Sequence, residues 1–186
     1  MIEIDNLDHP DFTDLFTTFT SSAWRLETLP VYNVPYEQAA FDRFLAGKGD
    51  SSSVDDWIDT VIAPAAADGR DIGRVHVIER TTGDDGKLAL GDYLRFELFL
   101  YRFTKAAGED IRIAWAEPGS WPRDVSRPGS DFWLFDEDTD DPTLVKMRYH
   151  DDGSFDSAQI TDKRTLIAGA VKCKRAAQRA SRPFYP

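Results

Sequence analysis

An α+β fold is predicted by three features of the sequence: helical periodicity at both ends, a strand, helix, strand order in the middle, and short strand-like runs parted by turn residues after it. The expected architecture is a set of N-terminal helices, a βαβ unit continuing into an antiparallel meander, and a C-terminal helix packed on the mixed sheet. A chain of 186 residues is the size of one domain and can bury a full core. Within that domain, 1–69 reads as the helical N-terminal part, 70–160 as the mixed sheet with one helix, and 161–186 as the terminal helix and tail.

The elements follow in order. Phe12, Leu15, Phe16 and Phe19 recur at helical spacing after His9-Pro10, which predicts an amphipathic helix over 11–24. An extended piece over 25–32 leads to Pro35, which suits the first position of a second helix carrying Ala39, Ala40, Phe41, Phe44 and Leu45 and closing at Gly47. After the polar loop 47–53, Ser53-Val54-Asp55-Asp56 resembles a capping box and opens a third helix with Trp57, Val61 and Ile62, disturbed near Pro64 and ended by Gly69. Residues 72–79 alternate as a strand does, 82–87 reads as a flexible loop, and a helix from about Gly91 stops at Gly108. The run 110–115 supplies the second strand of a right-handed parallel βαβ unit. Three further strands follow over 131–136, 144–150 and 154–160, the last two joined through Asp152-Gly153, a hairpin signal. The final helix, 161 to about 180, sets Leu166, Ala170, Cys173 and Ala177 on one face and Lys172, Arg175 and Arg179 on another.

Composition narrows the function classes. A net charge of −11 repels nucleic acid and anionic membrane surfaces, so no direct nucleic-acid or membrane partner is expected. The start of the chain has no export-signal pattern and the single cysteine, Cys173, cannot form an intrachain disulfide, so the expected compartment is the cytoplasm. The charge is uneven, since no acidic residue follows Asp162 while Lys172, Arg175 and Arg179 lie beyond it. These three are candidate partner-binding residues, with a solvated or self-paired helix face as the bland alternative.

No catalytic residue, cofactor or metal site is signalled. His9, His76 and His150 lack a neighbouring His or Cys at metal-ligand spacing. The carboxylate run 136–141 lacks the Gly and Glu that a calcium loop needs, and Cys173 falls on the apolar stripe of its helix. The phosphate-binding, dinucleotide-binding and nucleophile-elbow motifs are missing. Polar residues nevertheless thread core-forming segments. Arg74, His76, Glu79, Tyr93, Arg95, Glu97 and Arg112 form a candidate ligand-binding set, of which Glu79 and Tyr93, with Arg80 and Asp92, would line the crevice at the strands' carboxyl ends. The other reading is that Arg95 and Glu97 pair with strand residues and fix helix against sheet.

The blocks Ser22-Ala23-Trp24-Arg25-Leu26-Glu27, Arg74-Val75-His76-Val77-Ile78, Asp92-Tyr93-Leu94-Arg95-Phe96-Glu97, Gly108-Glu109-Asp110-Ile111-Arg112 and Asp131-Phe132-Trp133-Leu134-Phe135-Asp136 resemble, in that order, an actinobacterial family of unknown function, domain of unknown function 6879. The resemblance implies a cytoplasmic protein found beside helix-turn-helix regulators, without an established activity. The chain departs from the family pattern by inserting 138–143 after Asp136. The element order is also similar to one half of a phospholipase D-type fold, whose His, Lys and Asp hallmark is missing, since Ile78 and Asp152 stand two residues after His76 and His150. Two functions are therefore expected as alternatives. One is a non-enzymatic regulatory module that binds another protein, such as a helix-turn-helix regulator. The other is a small-molecule or phosphoester-processing enzyme with Arg95 on an anion and His76 or Glu79 handling a proton.

Overall fold

A computed structural model describes residues 1–84, 86 and 88–186. Along the chain lie β1 (Ile2–Ile4), α1 (Pro10–Thr13), α2 (Leu15–Thr18), β2 (Ser22–Glu27), a 3-10 turn (Pro35–Glu37) running into α3 (Gln38–Leu45), α4 (Asp55–Trp57), a π-helical turn (Ile58–Ile62) and α5 (Ala63–Ala67). Then come β3 (Asp71–Glu79), the two-residue strands β4 (Thr81–Thr82) and β5 (Leu88–Ala89), α6 (Asp92–Ala106), β6 (Asp110–Ala116), β7 (Phe132–Phe135), β8 (Thr143–Tyr149), β9 (Phe155–Thr161), α7 (Arg164–Ala180) and β10 (Arg182–Pro183). The loop expected over 82–87 includes Asp85 and Lys87, which lie outside the described residues.

One mixed sheet has the order β1-β9-β8-β7-β2-β3-β6-β10, in which β2, β3 and β6 are parallel neighbours and every other pairing is antiparallel. The expected βαβ unit is β3, α6 and β6, and the expected meander is β7, β8 and β9. A second parallel crossover, from β2 through α3, α4 and α5 to β3, stands where sequence periodicity extends the first helix to Trp24. That helix is instead two single turns, and Trp24 sits in β2 opposite Gly73 and Leu134. The reason is tertiary. Asp136 accepts hydrogen bonds from the backbone N–H groups of Thr20, Ser21 and Ser22 at 2.7 to 3.1 Å, which holds this stretch extended along the sheet.

Local chemistry explains the other departures. Pro64 has no N–H to give, and just before it the helix widens so that the Ala63 N–H reaches the Ile58 carbonyl five residues back. Helix α7 starts at Arg164 rather than at residue 161, because Thr161 is still paired with Leu144 in the sheet and its hydroxyl accepts from the Lys163 N–H at 3.2 Å. The Asp152-Gly153 signal does mark the β8 to β9 turn, where Gly153 has φ +80°.

Alternation on the strands divides the core between two faces. On one, Trp24, Leu26, Val75, Val77, Ala114 and Leu144 pack under α7, whose Ala170, Cys173 and Ala177 are small enough to bring the helix close. On the other, Phe12 and Ile62 of the N-terminal helices pack with Phe19 on Phe135 and Val145 of the sheet, while Ile78, Ile111 and Ile113 lie under α6. Between these two apolar patches, the middle of that face is polar.

Candidate functional site

The parallel register of β2 and β3 sets Arg25 opposite Arg74 and Glu27 opposite His76, and the two-residue strand period sends all four to the α6 face. Glu97 and Tyr101, one helical turn apart on α6, come down over them, and Glu109 closes the side after α6 ends. Glu27 forms ion pairs with Arg25 at 3.2 Å and Arg74 at 3.1 Å and accepts the Tyr101 hydroxyl at 2.8 Å. The second carboxylate of Arg74 is Glu109, at 2.6 Å. The His76 ring is 0 % exposed, with Nε2 at 3.0 Å from the Leu29 carbonyl and Nδ1 at 3.0 Å from the Tyr101 hydroxyl and 3.5 Å from Glu97 Oε2.

The electrostatics balance within the cluster. Burial pushes the Glu27 carboxyl up, but the Arg25 and Arg74 guanidinium groups overcome this and bring it down to about 2. Burial likewise raises Glu97 well above the ordinary carboxyl range, and the nearby Glu27 charge adds to it. His76 is lowered by burial, against the pull of Glu27. The two guanidinium groups, of Arg25 and Arg74, are thus met by the carboxyl groups of Glu27 and Glu109, while Glu97 has no cationic partner in the cluster.

A strap runs over the cluster from Thr28 to Tyr36. Besides the Leu29 carbonyl, it contributes Tyr32, whose hydroxyl donates to Asp131 and accepts from the Thr28 N–H at 3.0 Å. Asp131 also accepts from the Thr28 hydroxyl, and burial outweighs both hydrogen bonds to bring its carboxyl up to about 6. The strap is tied down at the β8 to β9 turn, where the Asn33 N–H donates to the Gly153 carbonyl at 3.0 Å. A β-carbon on Gly153 would lie 2.3 Å from the Val31 oxygen, so the close approach needs glycine.

Of the residues expected in a ligand site, Arg74, His76 and Glu97 are brought together. Tyr93 lies beside them, donating to Glu37 at 3.2 Å. The other three point elsewhere. Glu79 is exposed at the end of β3. Arg95 pairs with Asp92 at 3.2 Å on the solvent side of α6, three residues along the same helix, so it fixes no strand and does not share the His76 cluster. Arg112 falls on the α7 face, where it donates to the Ser181 hydroxyl at 3.0 Å. Arg25, Glu27, Tyr101, Glu109, Tyr32 and Asp131 fall outside the expected set. Arg25 and Glu27 alternate with the apolar Trp24 and Leu26, a strand signal obscured by the helical spacing of the phenylalanines upstream. On α7, Lys172 pairs with Asp124 at 3.2 Å, and Arg175 and Arg179 are exposed with no ion pair among the described residues.

Two surface cavities lie away from the cluster. One of about 470 Å³ is lined by Arg80, Leu88 and Trp115 at the carboxyl ends of β3 and β6, and one of about 460 Å³ by Phe132, Lys146, Leu166 and Cys173 beside α7. No helix is long and apolar enough to cross a membrane among the described residues. The segments that hold the buried cluster are those that carry the resemblance, and the family profile spans them all, matching residues 10–185. The chain belongs to the family described as domain of unknown function 6879. No curated protein matches the sequence. Within the chain's match to the 6879 family lie the whole buried cluster, the strap and α7.

Proposed function

We propose that the protein is a non-enzymatic regulatory module that binds another protein through the outer face of α7. The observation that carries this reading is the charge of that face. Arg164, Lys172, Arg175 and Arg179 are exposed on a helix without a single carboxylate, in a chain of net charge −11. Such a ridge is complementary to an acidic protein surface, and the acidic remainder disfavours nucleic acid as the occupant. The side chains most able to do chemistry support the same reading, because His76, Glu27 and Glu97 are sealed beneath the strap and α6, and the charge of Glu27 is already paired.

From the family resemblance, the partner is a helix-turn-helix regulator in an actinobacterial cytoplasm, and, by analogy of element order alone, the phospholipase D-like half-fold is a scaffold reused without catalysis. The alternative, a phosphoester or small-molecule enzyme, draws on the convergence of Arg74, His76 and Glu97, and needs the strap to open. The deciding experiment is affinity capture at near-physiological salt of the wild-type chain and of a variant carrying Arg175→Glu and Arg179→Glu. A stoichiometric protein partner held by the wild type and lost by the equally folded variant is expected. Retention of the same partner by the variant would remove α7 from the interface, and a small molecule retained in its place would favour the enzyme.

A further inference from the structure

On the α6 side of the His76 ring, acceptor atoms face one another. The Leu29 carbonyl can only accept, so the His76 Nε2 atom 3.0 Å away carries the ring proton and Nδ1 presents a lone pair. Facing that lone pair are the Tyr101 hydroxyl at 3.0 Å and Glu97 Oε2 at 3.5 Å. Tyr101 has one proton, and its shortest contact is with Glu27 Oε2 at 2.8 Å. Glu97 Oε2 is left without a hydrogen-bond partner, although the residue is only 7 % exposed. Opposed lone pairs in a water-excluded interior repel, and a positive centre between them removes the repulsion.

We propose that Glu27, His76 and Glu97 form a closed binding site for one Zn²⁺ ion, which ties β2, β3 and α6 together. One ligand atom from each of the three residues lies within 4.8 Å of the others, a span that small rotations close onto bonds of about 2.0 to 2.2 Å. The supporting shell is already built. The second ring nitrogen of His76 is held by a backbone carbonyl, and Glu27 is oriented by Arg25, Arg74 and Tyr101, the arrangement that fixes metal ligands in their working orientation. Because Arg25 and Arg74 are balanced by Glu27 and Glu109, Glu97 is the one carboxyl group of the three ligands not already paired with a cation, and it would release its proton as the ion binds. That favours an ion that bonds well to imidazole over the hard, carboxylate-seeking Mg²⁺ and Ca²⁺. The burial of all three ligands beneath the strap and α6, away from any substrate, gives the ion a role in holding the fold together, separate from the α7 partner reading.

The test uses the full chain stripped with chelator and titrated with Zn²⁺ by calorimetry, with thermal unfolding recorded before and after loading. Glu97→Gln is the informative variant, since an amide has the shape of the protonated acid and keeps the fold while losing the ligand. One ion per chain with micromolar or tighter affinity is expected, with a rise in Tm on loading, both lost in Glu97→Gln. Co²⁺ bound to the wild type should show the visible bands of mixed nitrogen and oxygen coordination, which reads the ligand set even if the variant does not fold. The proposal is overturned if the folded wild type takes up no Zn²⁺ below millimolar concentration, leaving only a proton on Glu97. It is equally overturned if Glu97→Gln binds as tightly, or if the Co²⁺ spectrum shows no imidazole nitrogen, either of which puts the ion elsewhere.

Discussion

At the scale of single residues, Arg74 is the pivot of the buried charge balance, because it serves both Glu27 and Glu109. Arg74→Ala leaves two carboxylates short of a partner in the interior. It should cost about 3 to 5 kcal/mol in urea unfolding, well beyond a surface substitution. Asp131 makes a second prediction, in pH. Its folded carboxyl titrates at about 6 against 3.8 when exposed, so between those values the folded chain holds a proton that the unfolded chain has released. Its contribution is therefore most favourable below about 4 and is lost as pH rises through about 6, by up to about 3 kcal/mol. Asp131→Asn should flatten that slope when unfolding is measured from pH 4 to 7. An unchanged slope would assign the effect to other groups. Glu27 has the opposite sign, stabilising above its ordinary range near 4.5 and losing that contribution as pH falls toward about 2.

At the scale of elements, the strap and α7 depend on small residues at two contacts. Gly153 combines φ +80° with a backbone approach that a β-carbon would violate at 2.3 Å from the Val31 oxygen. Gly153→Ala should cost more than about 1 kcal/mol and loosen residues 28–36, which hydrogen exchange at Asn33 would register as lost protection. A well-protected Asn33 amide in that variant would mean the strap is anchored elsewhere. Helix α7 lies close to the sheet because Ala177, with no exposure, faces Val75 and its neighbours. Ala177→Leu overfills that seam, with an expected loss of about 1 to 3 kcal/mol in thermal unfolding. These elements are partly legible in the sequence. The βαβ unit, the meander and the last helix each carry their own period and turn residues. Strand β2 is obscured, because the spacing of Phe12, Leu15, Phe16 and Phe19 imitates one long helix, and it takes distant groups, the carboxylate of Asp136 foremost, to straighten the chain after Phe19.

At the scale of the whole molecule, charge is unevenly placed, with no carboxylate on α7 in a chain of net charge −11. The chain should not shift duplex DNA in a gel assay at physiological salt, and a clear shift that weakens steeply with added salt would mean the ridge overrides the net charge. Residue order alone is enough for the class of fold, the pairing order of the meander, the segregation of basic residues at the end and the membership of a family. Each of these is set by local period, turn chemistry or composition, which need no distant contact. Which polar residues meet is a matter for tertiary packing. Glu27 and His76 are far apart in the chain, separated by three short helices, yet face each other by parallel register, while Glu79 and Arg95, close in sequence to His76 and Glu97, point away. A strand's two-residue period and a helix's 3.6-residue period fix which face a side chain takes, but the register that brings two faces together is a property of the packed sheet.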